Sequence, residues 1–123
     1  DWQTQHWRSI KTAYSNTPYY EHYDYLFEAV YNLKIDLLWD FNMQLLEVVQ
    51  KCIGSDVVFE LSSEYQKEYE TVDIDFRKVK RPSQVIPSYP QVHEETVPFQ
   101  SNMCILDLIF HLGPESIGYL KNC

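Results

Sequence analysis

The chain has 123 residues, of which 45% are hydrophobic and 15% aromatic, with 10 Lys and Arg against 18 Asp and Glu. This length favours a single domain, 1–123, with one hydrophobic core. The formal net charge of −8 (10 minus 18) argues against nucleic-acid binding, which needs a basic surface. No apolar run approaches the roughly 18 residues of a membrane-spanning helix. The three widely spaced cysteines include no C-x-x-C pair and indicate a reducing compartment, so we expect a cytoplasmic protein.

The beginning of the chain is abrupt. Residue 1 is Asp rather than Met, and it leads directly into an amphipathic, Trp-rich segment without a secretory signal. Cytoplasmic proteins usually begin otherwise. We therefore interpret the sequence as a piece of a longer chain.

Hydrophobic periodicity predicts a three-helix core in the first half of the chain. The predicted helices cover residues 2–14, 18–32 and about 35–53, with Thr17 as the N-cap of the second and Gly54 ending the third. The short connection between the first two favours an antiparallel helix pair.

The pattern changes after the third helix. Residues 57–61 are β-branched and apolar, which predicts a short strand. Residues 72–76 alternate between apolar and charged side chains and are strand-like, with a helix over 74–80 as the alternative.

Four prolines between residues 81 and 100 predict a long loop. Ser101 or Asn102 is expected to cap a helix through Leu112, and residues 115–121 form a last helical turn or two. The predicted architecture is mainly α (α+β overall): a three-helix core, a minor β element, the long proline-marked loop, and a C-terminal helix that packs back on the core.

Two histidines lie on the apolar faces of the predicted helix pair. His6 is flanked by Trp2 and Ile10 on the first helix, and His22 occupies the corresponding face of the second. Imidazole suits proton transfer near neutral pH, yet burial statistics favour a packed core histidine at position 6 by about two to one. In a helix hairpin both imidazoles would border one cavity. A metal site is not expected, because a third ligand at motif spacing is missing.

Asn42 falls at the centre of the apolar stripe of the third helix, between Leu38, Leu46 and Val49. A buried amide without partners costs on the order of 1–3 kcal/mol. Asn42 therefore either hydrogen-bonds to backbone groups of a neighbouring loop or lines a polar site. The sequence favours these two alternatives about equally. Asp107 lies in a similar apolar run of the late helix, where a carboxylate must be paired or point outward.

Tyrosines are concentrated in the helix pair. Six of the ten lie within 18 residues, namely Tyr14, Tyr19, Tyr20, Tyr23, Tyr25 and Tyr31. The ring and hydroxyl suit stacking on sugars or bases, although packing in a core or interface is favoured about three to one for any single tyrosine.

The later segments add further polar candidates. Tyr89 and Gln91 flank the rigid Pro90 within the proline-marked loop. The basic run over 77–81 is typical of a solvated face, and alternatively it suits a phosphate. Three glycines in the whole chain exclude a glycine-rich phosphate cradle, and no cofactor is identified.

Three stretches keep the order and residue types of one known family. They read HWRSIKTAY leading to TPYY and Tyr23, then YPQV, then NMCILDLIF followed by GPE. Together they resemble the WbqC-like protein family, found in bacterial gene clusters for surface polysaccharides such as O-antigen. Two features depart from the family: its strand-rich opening segment with a Pro-x-Tyr motif is absent, and Cys104 stands where the family often has Ser. The absent segment implies that the sequence is the C-terminal part of a longer WbqC-like chain.

The resemblance implies that the protein takes part in surface-glycan assembly. It indicates the chemical reaction less directly. It favours a transferase or sugar-modifying enzyme acting on a nucleotide- or lipid-linked sugar. The alternative is a non-catalytic interaction subunit of a glycan-biosynthesis complex, and a homo-oligomer fits either. A metal-dependent hydrolase has the weakest support.

The resemblance also motivates candidate site residues. His6 would act as a general base and Lys11 would contact phosphate or carboxylate. The candidates for substrate binding are Tyr14, Tyr89, Gln91, Asn102 and, from its position in the apolar stripe, Asn42. We expect the proline-marked loop near the amino end of the first helix, where Tyr89 and Gln91 would face His6.

Overall fold

The computed structural model describes residues 1–65, 67–68, 75 and 86–123. In this part of the chain the α-helices are α1 (Trp2–Tyr14), α2 (Tyr20–Tyr31), α3 (Leu38–Ile53), α4 (Ile105–Leu112) and α5 (Ser116–Lys121), with a 3-10 turn over Gly113–Glu115. The predicted mainly α fold is confirmed, and α1 has its predicted bounds. No helix in these described ranges is long and apolar enough to cross a membrane.

The β part of the prediction is wrong for residues 57–61. They adopt extended coil, and the Val58 side chain is 86% exposed. Their β-branched composition favours an extended backbone, but a strand also needs a neighbour to pair with, and none lies within the described ranges. The predicted elements over 72–76 and 74–80, apart from residue 75, and the basic run 77–81 lie outside the described residues.

α1 and α2 form the predicted antiparallel pair. In the first half of α1, the indole nitrogen Nε1 of Trp7 donates to Glu28 Oε1 at 3.1 Å, late in α2. At the opposite end, the rings of Tyr14 and Tyr20 both contact the Phe110 ring, with centroid distances of 5.3 and 5.2 Å. The end of α1 therefore meets the start of α2, and α4 covers this junction.

The turn between α1 and α2 differs from the prediction. α2 begins at Tyr20, and Thr17 is not its N-cap, because the Thr17 hydroxyl donates to the backbone oxygen of Tyr14 at 2.7 Å. The last carbonyls of a helix lack intrahelical donors, and this hydroxyl supplies one. The backbone N–H of Tyr19 donates to the backbone oxygen of Phe110 at 3.0 Å, which ties the turn to α4.

The buried face of α3 is rotated relative to the predicted stripe. Phe41 and Cys52 are buried, whereas Leu38 is 63% exposed. Burial raises the pKa of the Cys52 thiol to about 11. The helix ends as predicted at Gly54, which has a left-handed backbone with φ of 66°.

The hydrophobic core is centred on α4, which packs back on the first three helices. Ile109 and Phe110 are completely buried, and Phe27 of α2 meets the Phe110 ring at a centroid distance of 5.6 Å. This position makes α4 the element that fixes the site described below.

Gly113 supports a prediction about stability. Its φ is +53°, and an added Cβ would lie 2.5 Å from the Tyr19 ring. We expect Gly113→Ala to lower the free energy of unfolding by about 3 kcal/mol, through overpacking and left-handed strain. In the matched control Gly118→Ala, a Cβ within α5 meets nothing within 4 Å, so a gain of about 0.5–1 kcal/mol is expected. Urea denaturation measures the unfolding free energy of both variants. An unchanged unfolding free energy in Gly113→Ala would contradict the close contact with Tyr19.

Candidate functional site

The side chain of Asp107 is buried in the first turn of α4, and only 4% of the residue is exposed. The Tyr89 hydroxyl donates a short hydrogen bond to Asp107 Oδ2, and Gln91 Nε2 donates to the same oxygen at 3.1 Å. The positive end of the helix dipole also favours a carboxylate in this turn. Asp107 is therefore paired, which is one of the two outcomes that the sequence leaves open.

His111 lies one turn after Asp107 and connects α4 to the loop. The backbone N–H of Val92 donates to His111 Nε2 at 3.1 Å, so Nε2 carries no proton. The proton of the neutral ring is then on Nδ1, which donates to the backbone oxygen of Asp107 at 2.7 Å and lies 3.6 Å from its Oδ1. His111 is not among the residues predicted from the sequence, although its i, i+4 spacing from Asp107 on a predicted helix places the two on one face.

The amide of Gln91 closes the loop on itself. Its Nε2 donates to the backbone oxygen of Gln100 at 3.0 Å, and its Oε1 accepts from the backbone N–H of Gln100 at 2.9 Å. This pair of bonds resembles one step of a β-ladder made by a side chain. Gln91 thus holds both ends of the segment 91–100 together while its Nε2 also contacts Asp107.

A cavity of about 310 Å³ lies between the end of α1, the loop and α4. This volume is at the lower end of the range for small-molecule sites. Its polar wall contains Tyr14, Thr17, Gln91, His93, Gln100, Asp107 and His111. Its apolar wall contains Ala13, Val92, Val97, Pro98 and Met103.

Two phenols are perturbed beside this cavity. Burial, followed by the neighbouring Cys104 thiol, raises the pKa of Tyr14, whose hydroxyl lies 3.9 Å from the Cys104 sulfur. Burial and the hydrogen bond to Asp107 raise the pKa of Tyr89. Both phenols therefore stay protonated at neutral pH, and of the two residues Tyr14 is the one that lines the cavity.

The structure brings some of the candidate residues together. Tyr14 and Gln91 line the cavity, and Tyr89 reaches it through its bond to Asp107. Asn102 has a positive φ of 61° and lines a second hollow of about 310 Å³, which Tyr89 also borders.

Other candidates lie elsewhere. His6 is exposed, with its Nδ1 3.0 Å from the Tyr31 hydroxyl, and His22 is exposed beside the Tyr19 ring at 5.8 Å. Tyr31 and His22 are at opposite ends of α2, so the predicted cavity shared by both imidazoles is wrong. Lys11 is exposed on α1 and outside the walls of the cavity.

Two further expectations are corrected. Asn42 is exposed rather than buried, because the neighbouring Phe41 ring takes the core position on α3. The loop lies at the carboxyl end of α1, against Ala13 and Tyr14, and not at the amino end near His6. In the described part of the chain, no group of three or more His, Cys, Asp or Glu residues is arranged to hold a metal ion.

The fold and the cavity define a mainly α protein with a buried, hydrogen-bonded carboxylate beside a pocket of small-molecule size. Residues 1–81 match the model of the WbqC-like protein family, about two thirds of the chain, and the chain therefore belongs to this family. The match includes α1 to α3 and the first of the three resembling stretches, whereas 89–92 and 102–115 lie beyond it. No curated protein and no solved structure matches the chain.

The Asp107 network gives a prediction about energetic coupling. Tyr89→Phe removes a donor to a buried carboxylate, and we expect a cost of about 2 kcal/mol in unfolding free energy. Because Asp107→Asn alters the same bond, the double variant should cost less than the sum of the single ones by about 1 kcal/mol. Tyr25→Phe, at a tyrosine that is 61% exposed, serves as the control and should change stability by less than about 0.5 kcal/mol. If urea denaturation shows that the costs of the two single variants add up in the double variant, the hydrogen bond between Tyr89 and Asp107 is contradicted.

The raised tyrosine pKa values predict a pH dependence. For Tyr14 and Tyr89 the folded-state pKa lies above the unfolded value of about 10. Their stabilising contribution is therefore complete below a pH of about 10 and is lost as pH rises through the folded pKa. We expect the unfolding free energy to decrease above a pH of about 10, with a shallower slope in the double variant Tyr14→Phe/Tyr89→Phe. If urea denaturation gives the same slope of unfolding free energy against pH above about 10 for the unsubstituted chain and the double variant, this prediction is refuted.

Proposed function

We propose that the chain belongs to an enzyme of bacterial surface polysaccharide biosynthesis, of the O-antigen type. In this proposal the cavity beside α4 binds the sugar of a nucleotide- or lipid-linked substrate. Family membership supports the process. The observation that carries the site is the buried, hydrogen-bonded Asp107 carboxylate in the wall of a cavity of about 310 Å³.

The chemistry of this wall suits a sugar. A carboxylate has about four lone-pair sites, and the described donors to the Asp107 carboxylate, Tyr89 and Gln91, both act on Oδ2. Oδ1 is left to accept from a substrate hydroxyl. The Tyr14 ring offers an apolar plate, and its protonated hydroxyl serves as donor or acceptor.

The roles proposed from the sequence change accordingly. We assign the general-base role to Asp107 in place of His6, because His6 lies two turns before Tyr14 on α1 and outside the cavity. Lys11 keeps its proposed contact with a phosphate. It is exposed one turn before Tyr14, on the same face of α1.

The proposal includes a cytoplasmic location. Cys52, Cys104 and Cys123 are all free thiols. Free thiols are typical of reducing compartments.

Tyr14→Phe tests the site. Isothermal titration calorimetry of the chain against a panel of nucleotide sugars should give heat of binding for at least one member. We expect Tyr14→Phe to weaken that binding about tenfold, equivalent to about 1.4 kcal/mol, because a buried sugar hydroxyl loses its partner. Tyr25→Phe, on the exposed face of α2, is the control and should bind normally.

Two results would count against the proposal. The first is the absence of measurable binding to any nucleotide sugar of the panel and to lipid-linked sugars, together with normal glycan production in cells that carry Tyr14→Phe. The second is a loss of affinity that is equal in both variants.

A second candidate function is the non-catalytic interaction subunit. The exposed aromatic side chains of Trp2 and Trp39 favour it, since such residues are enriched in protein interfaces. Stable co-purification of a partner, with Tyr14→Phe leaving glycan production intact, would favour this function over the enzyme.

A further inference from the structure

Apolar side chains remain exposed where α1 begins and α2 connects to α3. Their exposed fractions lie between 46% and 63%, and the residues are Trp2, Leu33, Leu37, Leu38 and Trp39. We call this set the apolar end surface. Three of its members are consecutive, and exposed apolar runs of this kind usually serve an interaction.

This surface is held in place by the fold. The Trp2 ring packs edge-on against the buried Phe41 ring, with a centroid distance of 5.1 Å. Gln3 Nε2 donates to the backbone oxygen of Leu33 at 3.3 Å, which joins the start of α1 to the connection after α2. A partner would therefore meet a preformed surface, at a low cost in conformational entropy.

Two hollows open on the apolar end surface. One has a volume of about 360 Å³ and is walled by Trp2 and Leu38, and the other has about 540 Å³ and is walled by Leu33 and Leu37. Asp36 lies in the walls of both. Two adjoining hollows suit two apolar side chains one turn apart on a helix.

The rim of this surface is acidic. Asp36 and Asp40 are both exposed, and neither has an ion pair with another described residue. Glu47 follows Asp40 by two turns on the same face of α3. Among the described residues that wall the larger hollow, Lys34 is the one basic side chain. With a net charge of −8 on the chain, this rim attracts cations and repels a second copy or an anionic membrane.

We propose that the apolar end surface docks a cationic amphipathic helix of a partner protein. Its apolar side chains fill the two hollows, and its Lys or Arg side chains face Asp36 and Asp40. Trp39, 59% exposed, offers its ring to one of these cations. None of these residues lines the cavity with Tyr14, so the proposal holds independently of the proposed function.

Two synthetic helical peptides test it. They share one Leu face at i, i+4 spacing, and the other face carries Lys in the first peptide and Glu in the second. In calorimetric titrations of the chain at low salt, the Lys peptide should bind at least about tenfold more tightly than the Glu peptide. Its affinity should decrease as salt is raised, because exposed charges are screened.

Variants locate the binding. Asp36→Lys/Asp40→Lys and, separately, Leu37→Ser/Leu38→Ser should each weaken the Lys peptide at least about tenfold. The matched control is Glu21→Lys/Glu115→Lys, which changes the net charge equally at exposed positions outside this surface and should stay within about twofold. Far-UV circular dichroism verifies that each variant remains helical.

Several outcomes would overturn the proposal. They are the absence of binding, equal binding of both peptides, equal weakening by the control reversal, and loss of peptide binding in a longer chain whose segment before Asp1 covers this surface. Sedimentation velocity supplies another: a dimer of the chain that Leu37→Ser/Leu38→Ser dissolves would make this surface a contact between copies. Binding of anionic vesicles that competes with the peptide would identify a membrane surface instead.

Discussion

The burial of one carboxylate constrains how this molecule is assembled. The buried carboxyl group of Asp107 has to be hydrogen-bonded, because a buried polar or charged group without partners costs several kcal/mol. Its donors come from the loop, through Tyr89 and Gln91, while His111 binds the backbone of Val92. The loop therefore takes one position against α4. The cavity exists because that position leaves a space beside the end of α1.

Aromatic packing carries this constraint to the rest of the fold. The completely buried Phe110 ring contacts Tyr14, Tyr20 and Phe27, so α4 is fixed against both helices of the antiparallel pair. The buried ring area supplies most of the stabilisation, and the tilted and edge-on geometries add about 0.5–1.5 kcal/mol per pair. A shift of α4 would break the contacts of Tyr14, and the wall of the cavity would change with it.

The family relationship and the carboxylate network involve different parts of the chain. The match covers 1–81, whereas the residues that bind Asp107 lie between 89 and 111. The two parts meet at the cavity, since Tyr14 belongs to the matched range and lines the same cavity as Asp107. A ligand in this cavity would therefore contact both parts.

The sequence by itself determined the local elements. Periodicity predicted the bounds of α1, Gly54 predicted the end of α3, and the short connection predicted the antiparallel pair, because amphipathic spacing, caps and turns act within a few residues. The apolar neighbours of Asp107 in the chain also required a partner for that carboxylate if it were buried. Tyr14, Tyr89 and Gln91 became candidate site residues through the resemblance to the WbqC-like family.

Only the tertiary structure decided which faces are buried and which distant segments meet. On α3, Phe41 rather than Asn42 faces the hydrophobic core. The buried face of the helix thus differs from the predicted one by a single position, and a broad apolar stripe in the sequence does not distinguish the two. The loop lies beside Tyr14 rather than His6, since its place is set by bonds to Asp107 and His111 across long sequence separations. Residues 57–61 have the composition of a strand but no strand neighbour in the described ranges, and pairing is a property of two segments rather than one.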